Sequence, residues 1–558
     1  MLRTEKSAVL TLFIDCGGTM RKGITSLLIG TIACVFISAF SSCISVAHAK
    51  QEIVTLTTRD DTNGRGITVS YLLDTPDGKE VRSILLVVPG GNGVMKLSQK
   101  SDGTITHTIR SNSFMRLSSF FRERSIGLAF IDVPSDHTDG IGTTFRKDRA
   151  HLTDLEMVTK DLKKRYPSVK IYMGSSGSGG ISALFAAKTA GQNLSGVILA
   201  GADYNELHAY DHSGIKVPVI ALHHLEDGCD SSPFIEAKEV AEKYSFLLVP
   251  FTGGKPDTEK DPCASLTKHG FIGLEKQVAT TIDDWMDGRK ISPQAPEGTK
   301  VFLNEHILWV PMETDSQKIK LQTTIFQPDG IGPFPLIVLS HGVPFDKAGA
   351  AEVKYRQRFS AQAQEFVNRG FVVAVPMRRG YGLSGGRMNT SDGSSIQTFG
   401  LNDAKDIKAT IDFMSQQPSV DGKRIVLVGQ SGGGLASLAY GSLANPNIKG
   451  IINFAGGLKV SSKPRWDIEM AEAFGNFAKT TKVPSIWFYT ENDSFFPPDV
   501  ARRAYEAYQK NGGQAKLFPL PTFRKDGHTL FHSADGNQIW REEVLKFLEQ
   551  IGFNITGK

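Results

Sequence analysis

The chain has little cysteine, little excess charge of either sign and no long basic block. Five cysteines in 558 residues are too few for a disulfide scaffold. Lys and Arg total 63 against 58 Asp and Glu, a formal net charge of +5, which gives a nucleic-acid partner little support. The 40% of hydrophobic residues excludes a disordered chain. What is abundant is glycine, with 56 residues. At roughly 100–200 residues per domain there is also length for more than one core. Chemistry must therefore be read from local motifs.

The first motif is at the amino terminus. Arg21 and Lys22 precede a small and apolar run over 24–40, and Ser45-Val46-Ala47-His48-Ala49 places small residues at the −3 and −1 positions of a cut before Lys50. This predicts a secretory signal over 1–49, with Met20 as an alternative start, and a periplasmic or secreted protein without a membrane span once the signal is removed. An uncleaved anchor is the alternative. A lipoprotein reading at Phe40-Ser41-Ser42-Cys43 is weaker, because its first position is normally aliphatic. Cys16, Cys34 and Cys43 fall in this leader, leaving Cys229 and Cys263. In an oxidising compartment that pair is expected to bridge, two buried free thiols being the alternative.

The remainder repeats itself. A strand-like run before Pro76-Asp77-Gly78 and another before Pro89-Gly90-Gly91 return as a run before Pro328-Asp329-Gly330 and one before Ser340-His341-Gly342. Gly174-Ser175-Ser176 likewise returns as Gly429-Gln430-Ser431, each opening a helix. Short aliphatic runs alternate with helix-length segments in both copies, the pattern of parallel strands buried on both faces. The prediction is an α/β chain of two tandem domains, 50–290 and 300–558, each a mostly parallel doubly wound sheet. The stretch 288–299, with Pro293, Pro296 and Gly298, is the expected linker.

In the second copy Gly429-Gln430-Ser431-Gly432-Gly433 is a G-x-S-x-G between a strand and a helix. The spacing alone is weak, but the position is not. A nucleophile on a sharp strand-to-helix turn needs small neighbours, and the helix N-terminus favours developing negative charge. An acid and a histidine should follow at later strand ends. Thr490-Glu491-Asn492-Asp493 supplies Asp493, with Glu491 as competitor. Lys525-Asp526-Gly527-His528 supplies His528, with His532 as the weaker rival. Ser431 needs an imidazole to take its proton, and Asp493 would fix the tautomer of that imidazole. Backbone N–H groups of Gly432 and Val343 would form the oxyanion hole.

With Arg379-Gly-Tyr-Gly-Leu-Ser-Gly-Gly386 added, these motifs resemble the dienelactone hydrolase and acyl-peptidase-like branch of the α/β-hydrolase superfamily, over about 305–555. The resemblance implies a hydrolase fold and catalytic type. Dienelactone hydrolases of the usual kind carry a cysteine where this chain has Ser431, so plain ester hydrolysis is the better expectation.

In the first copy three serines compete within Gly174-Ser175-Ser176-Gly177-Ser178-Gly179-Gly180. Counted from the preceding strand, Ser176 holds the register of Ser431, with Asp227 as acid and His269 as base. Gly91 or Asn92, with Gly177, would supply the oxyanion donors. Pro89-Gly90-Gly91-Asn92-Gly93, His223-His224 followed by Asp227-Gly228-Cys229, and Cys263 before His269-Gly270-Phe271 resemble bacterial α/β-hydrolase-like proteins of unassigned activity. That resemblance implies a Cys229–Cys263 bridge between the acid and histidine loops. A metal site at His223, His224, Glu226, Asp227 and Cys229 is not expected, since adjacent histidines on a strand end point to opposite faces.

The resulting expectation is an exported serine hydrolase acting on small or extended acyl esters through Ser-Asp-His triads. No cofactor is implied. A serine peptidase of the acyl-peptidase or prolyl oligopeptidase-like type is an alternative. So is a chain with one catalytic and one non-catalytic binding domain.

Overall fold

The computed structural model describes residues 49–259, 261–291, 300–314, 317–343, 355–389 and 394–555. The signal segment over 1–48 with Met20 and the three leader cysteines, the linker residues 292–299, and Pro344 lie outside the described residues.

Two eight-stranded sheets follow one another along the chain. The first is built from β1 (Ala49–Asp60), β2 (Gly66–Pro76), β3 (Ser83–Val88), β4 (Ile126–Ile131), β5 (Lys170–Gly177), β6 (Gly196–Ala202), β7 (Val219–His224) and β8 (Leu247–Phe251). Its order is β1-β2-β4-β3-β5-β6-β7-β8. The second is built from β9 (His306–Glu313), β10 (Lys318–Phe326), β11 (Phe334–Ser340), β12 (Val372–Pro376), β13 (Val420–Gln430), β14 (Ile448–Phe454), β15 (Ser485–Thr490) and β16 (Ala515–Leu520), in the same relative order. In each sheet the first two strands are antiparallel and the remaining six run parallel.

The sequence explains this arrangement. Aliphatic strands such as Ser83–Val88 and Ile126–Ile131 are buried at every residue. Alternate side chains go to opposite faces, so Ile84, Leu86 and Val88 join one apolar cluster and Leu85 and Val87 the other. The second sheet is covered on both faces in the same way. Chain crossovers by helices do the covering, which is the doubly wound α/β class expected from the repeat. Among the described residues, no helix is long and apolar enough to cross a membrane.

A buried polar seam joins the halves ahead of α1 (Ser360–Val367). Arg356 pairs with Glu236 of the first half and with Glu305, and Arg358 pairs with Glu305. Arg358 Nη1 also donates to the Cys229 carbonyl at 2.8 Å. The Ser360 N–H reaches Asp230 Oδ1 at 3.0 Å, and its hydroxyl reaches the Gly228 carbonyl at 2.6 Å. The loop carrying Asp227 is thus gripped from the second half. Glu305 titrates below its ordinary range: burial alone would raise it, but the two guanidinium groups outweigh that.

Candidate active site

Strand β13 ends at Gln430, and helix α2 (Gly432–Gly441) begins two residues later. Ser431 between them has φ +54° and ψ −124°, a conformation costly for a side-chain-bearing residue. Its surroundings hold it there. The Ser431 N–H donates to the Phe454 carbonyl at 3.0 Å, and its own carbonyl accepts the Gly457 N–H at 3.0 Å. Glycine is required at position 433, where a Cβ would fall 2.0 Å from the Ser340 carbonyl oxygen. A Cβ on Gly432 would lie 3.4 Å from the Val343 nitrogen, so the two expected oxyanion donors sit side by side.

The acid and the base arrive from later strand ends. Asp493 follows β15, and its Oδ1 accepts the N–H groups of Phe495 and Phe496, each at 2.9 Å. His528 lies on a single 3-10 turn, Gly527–Thr529, with Nδ1 at 3.1 Å from both Asp493 oxygens. Asp526 caps that turn by accepting the His528 N–H at 3.0 Å and the Ser494 hydroxyl at 2.7 Å. The Phe495 ring packs 4.4 Å from the imidazole. Glu491 is exposed, with its N–H bonded to the Leu520 carbonyl, and takes no part. His532 does not reach Asp493; its Nε2 lies 3.2 Å from Gln430 Oε1. Among the described residues no hydrogen bond joins Ser431 Oγ to His528, whose Nε2 faces the Gln430 amide at 3.3 Å. Such bonds often form only with substrate present.

The first half brings its pair together just as closely. His269 Nδ1 is 2.9 Å from Asp227 Oδ2, and Asp227 Oδ1 accepts the Cys229 N–H at 2.8 Å. Burial alone would lower the imidazole, but the Asp227 carboxylate outweighs it, and His269 titrates above its ordinary range. Cys229 and Cys263 form the disulfide, with Cα atoms 4.6 Å apart, and so tie the acid loop to the histidine loop. Among the described residues, Asp227, Cys229 and His269 form the one cluster with metal-ligand potential, but the Cys229 sulfur is spent in the bridge. Both His223 ring nitrogens and His224 Nε2 face backbone carbonyls, and His224 Nδ1 accepts the Glu226 N–H at 3.0 Å.

The elbow of this half differs from the expectation. Gly177, not Ser176, takes the turn, with φ +51°. Its carbonyl accepts the Asp203 N–H at 3.1 Å, as that of Ser431 accepts Gly457. A Cβ on Gly179 would fall 2.2 Å from the Val88 carbonyl oxygen, which is the Gly433 situation again. The strand register agrees, since Val88 pairs with Ser175 where Ser340 pairs with Gly429. Ser176 therefore stands where Gln430 stands, and its hydroxyl accepts from Asn112 Nδ2 at 3.0 Å. Gly177 holds the nucleophile position rather than a donor position, and Ser178 holds that of Gly432. Gly91, with φ +60°, follows Gly90 as Val343 follows Gly342; Asn92 lies one residue further on. The likeness of Gly174-Ser175-Ser176 to Gly429-Gln430-Ser431 is one residue out of the structural register. The pair Gly179-Gly180, matched to Gly433-Gly434, carries the correct alignment. Gln430 was passed over as the variable residue of the motif.

Comparison with known proteins fits this picture. The family model for X-Pro dipeptidyl-peptidase (S15 family) matches residues 315–519, ending short of His528. No curated protein matches by sequence. Similar solved structures include a protein from Klebsiella pneumoniae provisionally named a dienelactone hydrolase, 13% identical, covering 44% of this chain and 98% of its own, with TM-score 0.33. The acylaminoacyl peptidase of Pyrococcus horikoshii is 16% identical over 44% of this chain and 41% of its own, with TM-score 0.34. Esterase 2 of Thermogutta terrifontis is 19% identical over 46% of this chain and 97% of its own, with TM-score 0.33. The two sheets and the family match make the second half an α/β-hydrolase domain of hydrolytic type.

Proposed function

We propose that this protein is an exported serine hydrolase that cleaves carboxylic esters at Ser431, through an acyl-enzyme. One observation carries the reading: Ser431 is held at φ +54° on a strand-to-helix elbow, while Asp493 and His528 pair 3.1 Å apart on the loops that follow. Ser431 Oγ attacks the ester carbonyl as His528 Nε2 takes its proton, and Asp493 holds the Nδ1 proton. The oxyanion forms against the N–H groups of Gly432 and Val343, where losing one donor costs about 100–1,000-fold. His528 returns the proton to the leaving alcohol. Water then attacks the acyl-enzyme as the same nitrogen takes its proton, and that proton passes to Ser431 Oγ as the acyl–Oγ bond breaks and the acid leaves.

Ester is preferred over amide because, among the described residues, the two carboxylates beside His528 are both occupied. Asp493 is bound to His528, and Asp526 to Ser494 and the His528 N–H. Recognition of a peptide amine would need a free one. The family match keeps a peptidase as the second reading. Turnover of p-nitrophenyl acetate beside a dipeptidyl p-nitroanilide with proline in the second position decides between them. Ester turnover alone supports the proposal, and faster anilide cleavage overturns it.

The glycine at position 177 favours a chain with one cleaving half and one non-cleaving half. Export and removal of residues 1–49 remain part of the proposal. Mass spectrometry of the mature protein tests them, an intact leader being the contrary result.

A further inference from the structure

Gln430 is buried, directly precedes Ser431, and is not required by Ser-Asp-His chemistry. We propose that Gln430, oriented by His532, is a positioning residue that holds His528 in the tautomer a general base needs. This role rests on the proposed function, in which His528 is that base.

The hydrogen-bond chemistry leaves one consistent arrangement. Gln430 Nε2 lies 3.3 Å from His528 Nε2 and 3.5 Å from the His528 carbonyl oxygen. A carbonyl oxygen only accepts, so the NH2 side of the amide faces His528. The amide N–H then needs a lone pair on Nε2, which puts the imidazole proton on Nδ1, against Asp493. On the other side, Gln430 Oε1 faces His532 Nε2 at 3.2 Å, so that nitrogen carries the His532 proton. Burial, and then the nearby His528, push His532 down to about 4, so it stays a neutral donor near neutral pH. Its ring is braced 4.8 Å from that of Phe359. The carboxamide also touches the oxyanion loop, where a Cβ on Gly342 would come within 2.6 Å of Oε1. Gln430 thus meets the base, the elbow and the oxyanion loop at once. When substrate enters, Ser431 Oγ replaces the amide as partner of Nε2. In the first half the equivalent Ser176 bonds to Asn112 instead.

The charged or titratable groups facing His528 are Asp493, Asp526 and His532. Gln430→Glu adds a carboxylate of the same shape. A nearby negative charge favours a protonated imidazole, so the acidic limb of kcat/KM for p-nitrophenyl acetate should move up by about one pH unit. His532→Phe keeps the ring but loses the donor, and kcat should fall ~10-fold with KM little changed. His532→Gln restores a donor and should recover most of that loss. An unmoved acidic limb in folded Gln430→Glu overturns the proposal. So does equal activity of His532→Phe and His532→Gln, a pair that serves if Gln430→Glu does not fold. Ser431→Ala measured alongside separates the two levels. If that variant remains active, the hydrolase reading fails; if it is dead while the limb stays fixed, only the positioning role fails.

Discussion

At the elbow of the second half a serine holds φ +54°, and at that of the first half a glycine holds φ +51°. Around them the two halves agree. Both have the same strand order, the same glycine two residues beyond the turn, and an acid–histidine pair, at 2.9 Å in one and 3.1 Å in the other. The comparison teaches that pair and nucleophile are held by separate devices. The pair is set by loops at strand ends, whereas the nucleophile depends on one residue in a strained turn. In the first half the acid loop has a second task. Its Gly228 and Cys229 carbonyls and Asp230 are bound by Ser360 and Arg358 across the seam between the halves. That task gives a reason for the loop to stay built whichever residue stands at the elbow.

The comparison can be broken in three ways. The largest effect is expected at the two serines. Ser431→Ala should lower kcat by about 10⁴–10⁶-fold, whereas Ser176→Ala should change turnover less than about twofold, since its hydroxyl bonds to Asn112. A large loss in Ser176→Ala would restore it as a nucleophile. The next effect is on stability. Arg358→Ala leaves Glu305 buried with less compensation and should cost ~3–5 kcal/mol in denaturant unfolding. A loss below about 1 kcal/mol would show that the seam does not hold the acid loop. The smallest effect is expected from Gly177→Ser. A Cβ there meets only the Gly90 Cα, at 3.7 Å, so the fold should lose about 1 kcal/mol or less. In a Ser431→Ala background this change should bring back slow ester turnover. No gain would mean that His269 does not face the elbow.

Much of this was legible in the sequence. Aliphatic runs bounded by turns mark the parallel strands, and Asp493 and His528 lie 3.1 Å apart on the loops after β15 and β16, because parallel strands end on one side of the sheet. Cys229 and Cys263 were the remaining pair, and they bridge. The first elbow was misread by one residue. Gly174-Ser-Ser looks like Gly429-Gln-Ser, but the strand is one residue out of that alignment along its length: Ile84 pairs with Ile171 where Leu336 pairs with Ile425, and Val88 with Ser175 where Ser340 pairs with Gly429. The steric demand for glycine at 179 and 433 fixes the same alignment. Gln430 and His532 were hidden for another reason. Their roles come from a contact between residues far apart in the chain, and no local spacing encodes it. The seam of Arg356, Arg358, Glu236 and Glu305 was invisible likewise.

The central claim is that one half cleaves and the other does not. Labelling the intact protein with a fluorophosphonate, followed by peptide mapping, tests it most directly. The account predicts one label per chain, on Ser431, and none on the peptide carrying Ser175, Ser176 and Ser178. A second label on that peptide, retained in Ser431→Ala, would contradict it.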